Sequence, residues 1–151
     1  MKVAVASDHA GYPLKQTVIE TLITIGHTPI DLGTNSLESV DYPDFAEKAA
    51  LAIVRGEAER AIALCGSGVG ACITGNKIKG VYACLCDNTY TASQGVEHDQ
   101  MNMLCLGARV IGSELAIRIV QAFMAAQPSD DPRHLRRVGK IKAIENRQSK
   151  L

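Results

Sequence analysis

Cys65 is followed by Gly66, Ser67, Gly68, Val69 and Gly70, so a sulfur that can act as base or nucleophile heads a loop with little side-chain bulk. Alternate glycines let the backbone turn tightly and direct amide N–H groups outward, which suits a phosphate or a developing oxyanion. A helix beginning near Val69 would present its positive end to the same spot and favour a thiolate at Cys65. A base beside such a cradle can move a proton on a carbon next to a carbonyl. Two other readings fit the loop. One is a plain strand-to-helix turn with an inert cysteine. The other is a dinucleotide site, because Gly66 to Ala71 satisfies GxGxxA and Asp87 lies near the distance of a ribose-binding acid. Against the dinucleotide, the run follows the third strand rather than the first, and 151 residues hold no separate substrate domain.

Further candidates lie elsewhere in the chain. Asp8 and His9 directly follow the first apolar run, where they can either cap a helix or face a crevice. His98 sits with Asp99 in the polar run Glu97 to Gln100 and can shuttle protons near neutral pH, although a histidine in a polar loop is often simply solvated. Arg133, His134, Arg136 and Arg137 form the densest basic cluster. On a helix Arg133 and Arg137 share a face, a spacing that suits a forked grip on phosphate or, more plainly, a solvated surface. Arg109, just past Gly107, is a similar candidate; His27 reads as structural.

Apolar runs alternating with helical periods are what must position these groups. The expected strands cover Val3 to Ala6, Pro29 to Leu32, Ala61 to Cys65, Val81 to Cys86 and Met103 to Leu106. The expected helices cover Tyr12 to Ile25, Asp44 to Arg55, Val69 to Ile78, Thr89 to Glu97, a run capped by Ser113, and Arg133 to Arg147. This predicts an α/β, three-layer, doubly wound (Rossmann-like) sandwich with a parallel sheet of about five strands, as one domain over 1–151. The strand ends after the first, third and fourth strands, Asp87 included, are expected to face one crevice. A C-terminal helical extension, 132–151, has one narrow apolar face and is expected to pack on a partner subunit, as a homodimer or tetramer.

Sixteen Lys plus Arg balance sixteen Asp plus Glu, which argues against a field that would attract nucleic acid or a membrane. The N-terminus lacks the pattern of a signal peptide, and no apolar run reaches the ~18 residues needed to span a bilayer. Five cysteines, an odd number mostly in apolar runs, read as reduced thiols and point to the cytoplasm. Cys84-Leu85-Cys86 lacks CxxC spacing, so no metal is expected.

Taken together, Ser7-Asp8-His9-Ala10-Gly11, Asp41-Tyr42-Pro43, Cys65 to Gly70, Gly75-Asn76-Lys77, Leu106 to Gly112, and Arg133-His134 with Arg137 resemble the ribose-5-phosphate isomerase B family, which also includes galactose-6-phosphate isomerase subunits. The resemblance implies cofactor-free aldose–ketose interconversion of a sugar phosphate, ribose 5-phosphate with ribulose 5-phosphate, and of related aldose phosphates such as allose 6-phosphate. It also implies a dimer whose sites combine two subunits. Carried over by motif, Cys65 moves the proton between C1 and C2, while Ser67 and the amides of Gly66, Gly68, Val69 and Gly70 steady the enediolate. His98 opens the sugar ring. Asp8, His9 and Tyr42 contact the sugar, and Arg109, Arg133 and Arg137, with His134 nearby, hold the phosphate. One position departs from the pattern. Most ribose-type members carry Asn after the histidine, whereas this chain has Asp99, whose carboxylate can only accept hydrogen bonds. An NAD-dependent oxidoreductase and a phosphosugar-binding sensor remain the competing readings.

Overall fold

Side chains alternate along every strand, and here the alternation separates large residues from small ones. Val3, Val5, Ile62, Leu64, Leu104 and Leu106 point to one face of the sheet; Ala4, Ala6, Ala61, Ala63, Met103 and Cys105 point to the other. The computed structural model describes residues 1–148. Its strands are β1 (Lys2–Ser7), β2 (Thr28–Asp31), β3 (Arg60–Cys65), β4 (Ala83–Leu85) and β5 (Met103–Gly107). Its helices are α1 (Tyr12–Thr24), α2 (Tyr42–Val54), α3 (Val69–Gly75), α4 (Thr89–Asp99), α5 (Ser113–Ala125) and α6 (Pro132–Gln148). The strands run parallel in the order β2-β1-β3-β5-β4.

Leu14, Val18 and Leu22 of α1 and Ile119, Val120 and Phe123 of α5 fill the large-residue face. Ala46, Ala49 and Ala50 of α2 and Ala71 of α3 lie against the alanine face. The chain steps outward from β1 to β2 and then returns past β1 to β3, so the winding reverses between β1 and β3. Loops leaving those strands diverge there and open a crevice at the carboxyl edge.

The boundaries differ from expectation where side chains replace backbone partners. The helix expected to run to Ile78 stops at Gly75, and Asn76 then donates to the Ala83 carbonyl (2.8 Å) and accepts its N–H (2.9 Å). The Tyr82 N–H goes to the Asn102 side chain at 2.8 Å, so β4 shrinks to three residues. α2 begins at Tyr42 rather than Asp44, with Pro43 in its first turn, where a missing N–H costs nothing. Ser113 is not a cap: Gly112 holds that position and no side chain caps α5. α4 runs on through His98 and Asp99, which therefore stand on a helix rather than in a loop.

Lys15 is buried and its ammonium meets Asp31 (2.7 and 3.0 Å), the Thr34 carbonyl (2.6 Å) and Asn35 (2.8 Å), pinning the root of the loop between β2 and α2. α6 folds back on its own chain, packing along α4, and Glu145 accepts the Gly80 N–H at 2.8 Å. Leu135, Ile141 and Ile144 of this helix stay exposed. Residues 149–151 of the extension lie outside the described residues. No helix among the described residues is long and apolar enough to cross a membrane.

Candidate active site

β3 delivers Cys65 to the sheet's carboxyl edge, and the loop that follows is held by its neighbours. The Cys65 and Gly66 carbonyls accept N–H groups of Ala108 (2.9 Å) and Arg109 (3.0 Å), which locks the loops after β3 and β5 together. Gly68 adopts φ +81°, and a Cβ there would lie 2.5 Å from Leu85 Cδ1, so only glycine fits. Its N–H donates to Cys65 Sγ at 3.0 Å. Cys65 is 4% exposed, at the floor of a crevice of about 580 Å³ lined by Asp8, His9, Tyr42, Cys65, Gly66, Ser67, Val69, Gly70 and Arg109, among others.

Each wall has a local cause. Asp8 closes the turn after β1 by accepting the Gly11 N–H at 2.8 Å; Gly11, not Asp8, holds the N-cap of α1, which no side chain caps, and Asp8 lines the crevice. The Val40 N–H donates to His9 Nδ1 at 3.2 Å, which puts the proton of a neutral ring on Nε2. The Arg109 guanidinium lies over the loop, since a Cβ at Gly66 would meet its Nη1 at 3.4 Å. Tyr42 lies across Gly70, where a Cβ would come within 2.5 Å of the ring. A dinucleotide pyrophosphate needs open backbone at that place, and here a phenol ring covers it. A second cavity of about 480 Å³ shares His9 and Arg109 with the crevice and extends it towards Leu37 and Ser113.

The remaining candidates gather elsewhere. A helix that joins parallel strands runs back against them, so α4 starts at the carboxyl edge and carries His98 and Asp99 to the opposite edge. There His98 stacks on His134, ring centroids 3.9 Å apart and 28° between planes, while Gln94 bonds His98 Nδ1 at 2.9 Å. His134 is buried, its Nδ1 has no hydrogen-bond partner, and burial followed by the facing His98 pulls its pKa below the usual histidine value. Arg133 pairs with Asp131 at 3.0 Å, and Arg136 and Arg137 are exposed. Asp99 lines a smaller cavity of about 200 Å³ with Cys84 and Gln94.

Within one chain the candidates therefore form two groups, and none of His98, Asp99, Arg133, His134 or Arg137 lines the Cys65 crevice. Asp87 must be removed from it as well. β5 lies between β3 and β4, so Asp87 stands an extra strand away, bonded to Asn88 at 2.9 Å. Sequence reasoning missed the Lys15 anchor, which looked like one more polar position of α1, and Asp131 as the partner of Arg133. A lysine between two apolar helix positions, Leu14 and Val18, was the available signal for the first.

Comparison with known proteins bears on the whole chain. The family model described as Ribose/Galactose Isomerase matches residues 3–141. Ribose-5-phosphate isomerase B of Escherichia coli (strain K12) is 42% identical over 148 residues, covering 98% of this chain and 99% of that protein. The solved ribose-5-phosphate isomerase B of Clostridium thermocellum superposes with a TM-score of 0.94 at 44% identity, over 98% of this chain and 99% of that one. The Mycoplasma genitalium ribose-5-phosphate isomerase B, solved with bound ribulose-5-phosphate, gives 0.89 at 38% identity over 96% of both chains. With the same fold along nearly its full length and a thiol at the mouth of its glycine loop, the chain belongs to the ribose/galactose isomerase family, among the ribose-5-phosphate isomerases of type B.

Proposed function

We propose that the chain interconverts ribose 5-phosphate and ribulose 5-phosphate without a cofactor, and that a second copy completes each site. The observation that carries the chemistry is the Cys65 sulfur, buried and receiving the Gly68 N–H at 3.0 Å, on the floor of a crevice that also holds Arg109 and His9. With the phosphate on Arg109 and the His9 Nε2–H, the open-chain sugar lies across the loop. Cys65 takes the proton from C2 and the electron pair moves to the C1 carbonyl oxygen. The loop amides and Ser67 stabilise that oxygen, each such donor contributing about 3 kcal/mol in comparable oxyanion holes. Cys65 returns the proton to C1 while the proton of the C2 hydroxyl passes to the C1 oxygen, leaving a ketone at C2.

Ring opening needs a proton donor and acceptor, and His98 is the histidine with the partners to serve. Its position at the opposite edge of its own sheet supports a site in which His98, Arg133, His134 and Arg137 of a second copy approach the crevice. Asp99 arrives with them. A carboxylate facing an enediolate would repel it, so Asp99 accepts a sugar hydroxyl instead. Replacing it (Asp99→Asn) should raise KM several-fold with little change in kcat; a large gain in kcat would refute this role. A panel of aldose phosphates, allose 6-phosphate included, defines the pocket's reach.

The test is ketose formation from ribose 5-phosphate with no added cofactor, lost in Cys65→Ala and in His98→Ala. Mixing those two inactive variants should recover about a quarter of the parent activity, because half of random dimers carry one intact shared site. Activity that never returns on mixing would place the whole site in one chain. Saturable binding of the sugar without turnover would favour the sensor reading.

A further inference from the structure

Two histidines serve the proposed isomerisation, and each is held at Nδ1 by a donor. For His9 the donor is the backbone N–H of Val40 at 3.2 Å, which belongs to the loop itself. For His98 it is a side chain, Gln94, whose Nε2 lies 2.9 Å from Nδ1. Gln94 and His98 stand four residues apart on α4, so their side chains leave one face of the helix as neighbours. An amide nitrogen can only donate, so Nδ1 must accept. A histidine that accepts at Nδ1 is the neutral ring with its proton on Nε2.

The ring is also fixed in direction. Its face lies on the ring of His134, centroids 3.9 Å apart. His134 reaches this place because the start of α6 is tied to the end of α4. The Ser129 N–H donates to the Glu97 carbonyl at 2.8 Å, and the His134 N–H donates to the Asp131 carbonyl at 3.0 Å. Stacked faces exchange no hydrogen bond, so the contact with His134 orients the imidazole without choosing its protonated nitrogen. That choice falls to Gln94. Among the described residues no hydrogen bond takes His98 Nε2, which leaves one N–H to offer.

We propose that Gln94 is a positioning residue for ring opening: its amide holds His98 neutral with the proton on Nε2, and that N–H is given to the ring oxygen of the sugar. This rests on the reading of His98 as the ring-opening histidine. In the furanose form of ribose 5-phosphate, C1 is bonded to O4 and carries a hydroxyl, O1–H. As the C1–O4 bond breaks, its electron pair goes to O4. The O1 proton passes to a water, which hands it to O4, and C1 and O1 become the carbonyl. His98 Nε2–H bonds O4 while the charge is there and ends the step as it began, a neutral imidazole acting as donor rather than acid. With the tautomer reversed, Nε2 would turn a lone pair towards the lone pairs of O4. Cys65 does not use this N–H, so Gln94 acts on one step alone.

Ribulose 5-phosphate separates the steps. The oxygen that could close a ring on its C2 carbonyl carries the phosphate, so the sugar stays open. Ketose formation from ribose 5-phosphate needs ring opening, whereas deuterium entry at C1 of ribulose 5-phosphate in D2O needs only Cys65. The ratio of the first rate to the second should fall about tenfold in Gln94→Leu, which has no donor. It should fall at least as far in Gln94→Glu, whose carboxylate can only accept and draws the proton to Nδ1. Ring 15N NMR of histidine-labelled protein at about pH 8, where an ordinary histidine is neutral, reads the tautomer directly, with His98→Ala assigning the signals. The parent should show His98 protonated at Nε2 and bare at Nδ1, and Gln94→Glu the reverse. A protonated Nδ1 in the parent, a ratio unchanged in both variants, or both rates falling together would each overturn the proposal. A parent that makes no ketose would overturn the isomerase reading and with it the part of Gln94 in catalysis, while the tautomer is judged by NMR alone.

Discussion

One face of the sheet is built from Val, Leu and Ile covered by Leu22, Ile119 and Phe123, and the other mostly from alanines, with Met103 and Cys105, covered by alanines. Each large side chain removed from water contributes about 1.5–3 kcal/mol, whereas an alanine methyl contributes little more than a single CH₂, ~0.8 kcal/mol. Stability is therefore concentrated on the α1/α5 side. The alanine side gains proximity instead. Short side chains let α2 and α3 lie close to the strands, so that Tyr42 at the head of α2 and the amides at the head of α3 reach the same crevice as Cys65. A fold that must hold a thiol, a ring and a loop of N–H donors within one substrate's reach benefits from separating the face that stabilises from the face that positions.

Substitutions can break that separation. Cys65→Ala, on the positioning side, should lower kcat by about 10³-fold, roughly 4 kcal/mol of barrier, while Tm moves by no more than a few degrees. A large Tm loss would show that the thiol is structural. Phe123→Ala, fully buried on the other face, should cost about 3–5 kcal/mol in urea unfolding and leave KM of the remaining folded enzyme unchanged. Ala49→Leu tests whether closeness matters. Overpacking this fully buried position should cost about 1–3 kcal/mol and, unlike Phe123→Ala, should raise KM by displacing Tyr42.

The smallest effect concerns α6, which reaches the large-residue side through α4. Because His134 has a lowered pKa when folded, the unfolded chain binds its proton at a higher pH than the folded one. Stability is then fully present above about pH 6.5 and declines as pH falls below it towards the folded pKa. His134→Gln should flatten this decline in a thermal-unfolding series across that range.

Much of this was legible in the sequence, for identifiable reasons. β1, β3 and β5 are apolar runs bounded by turn residues, and they fall within a residue or two of expectation. The glycine loop announced itself because close backbone approach leaves only glycine at position 68. What remained hidden depends on which strands are neighbours. The insertion of β5 between β3 and β4, which separates Asp87 from Cys65, has no local signature. The separation of His98 and Asp99 from the Cys65 crevice within one chain follows from the direction of α4 against the sheet, visible only once His98 is known to be helical. The shortness of β4 depends on Asn76 and Asn102, whose side-chain bonds to Ala83 and Tyr82 link residues 7 and 20 apart.

Asn76 has a further role at the sheet's margin. β4 is an outer strand, and the Ala83 groups it bonds would otherwise offer a donor and an acceptor to any extended chain that approached. The single carboxamide acts as a one-residue strand, matching both groups and ending the ladder. Slow hydrolysis of that amide to an acid during storage would keep an acceptor for the Ala83 N–H and set a carboxylate against its carbonyl. Resistance to edge-to-edge association at high concentration, a property far from sugar chemistry, is thus expected to weaken with the loss of one nitrogen atom at the end of a short helix.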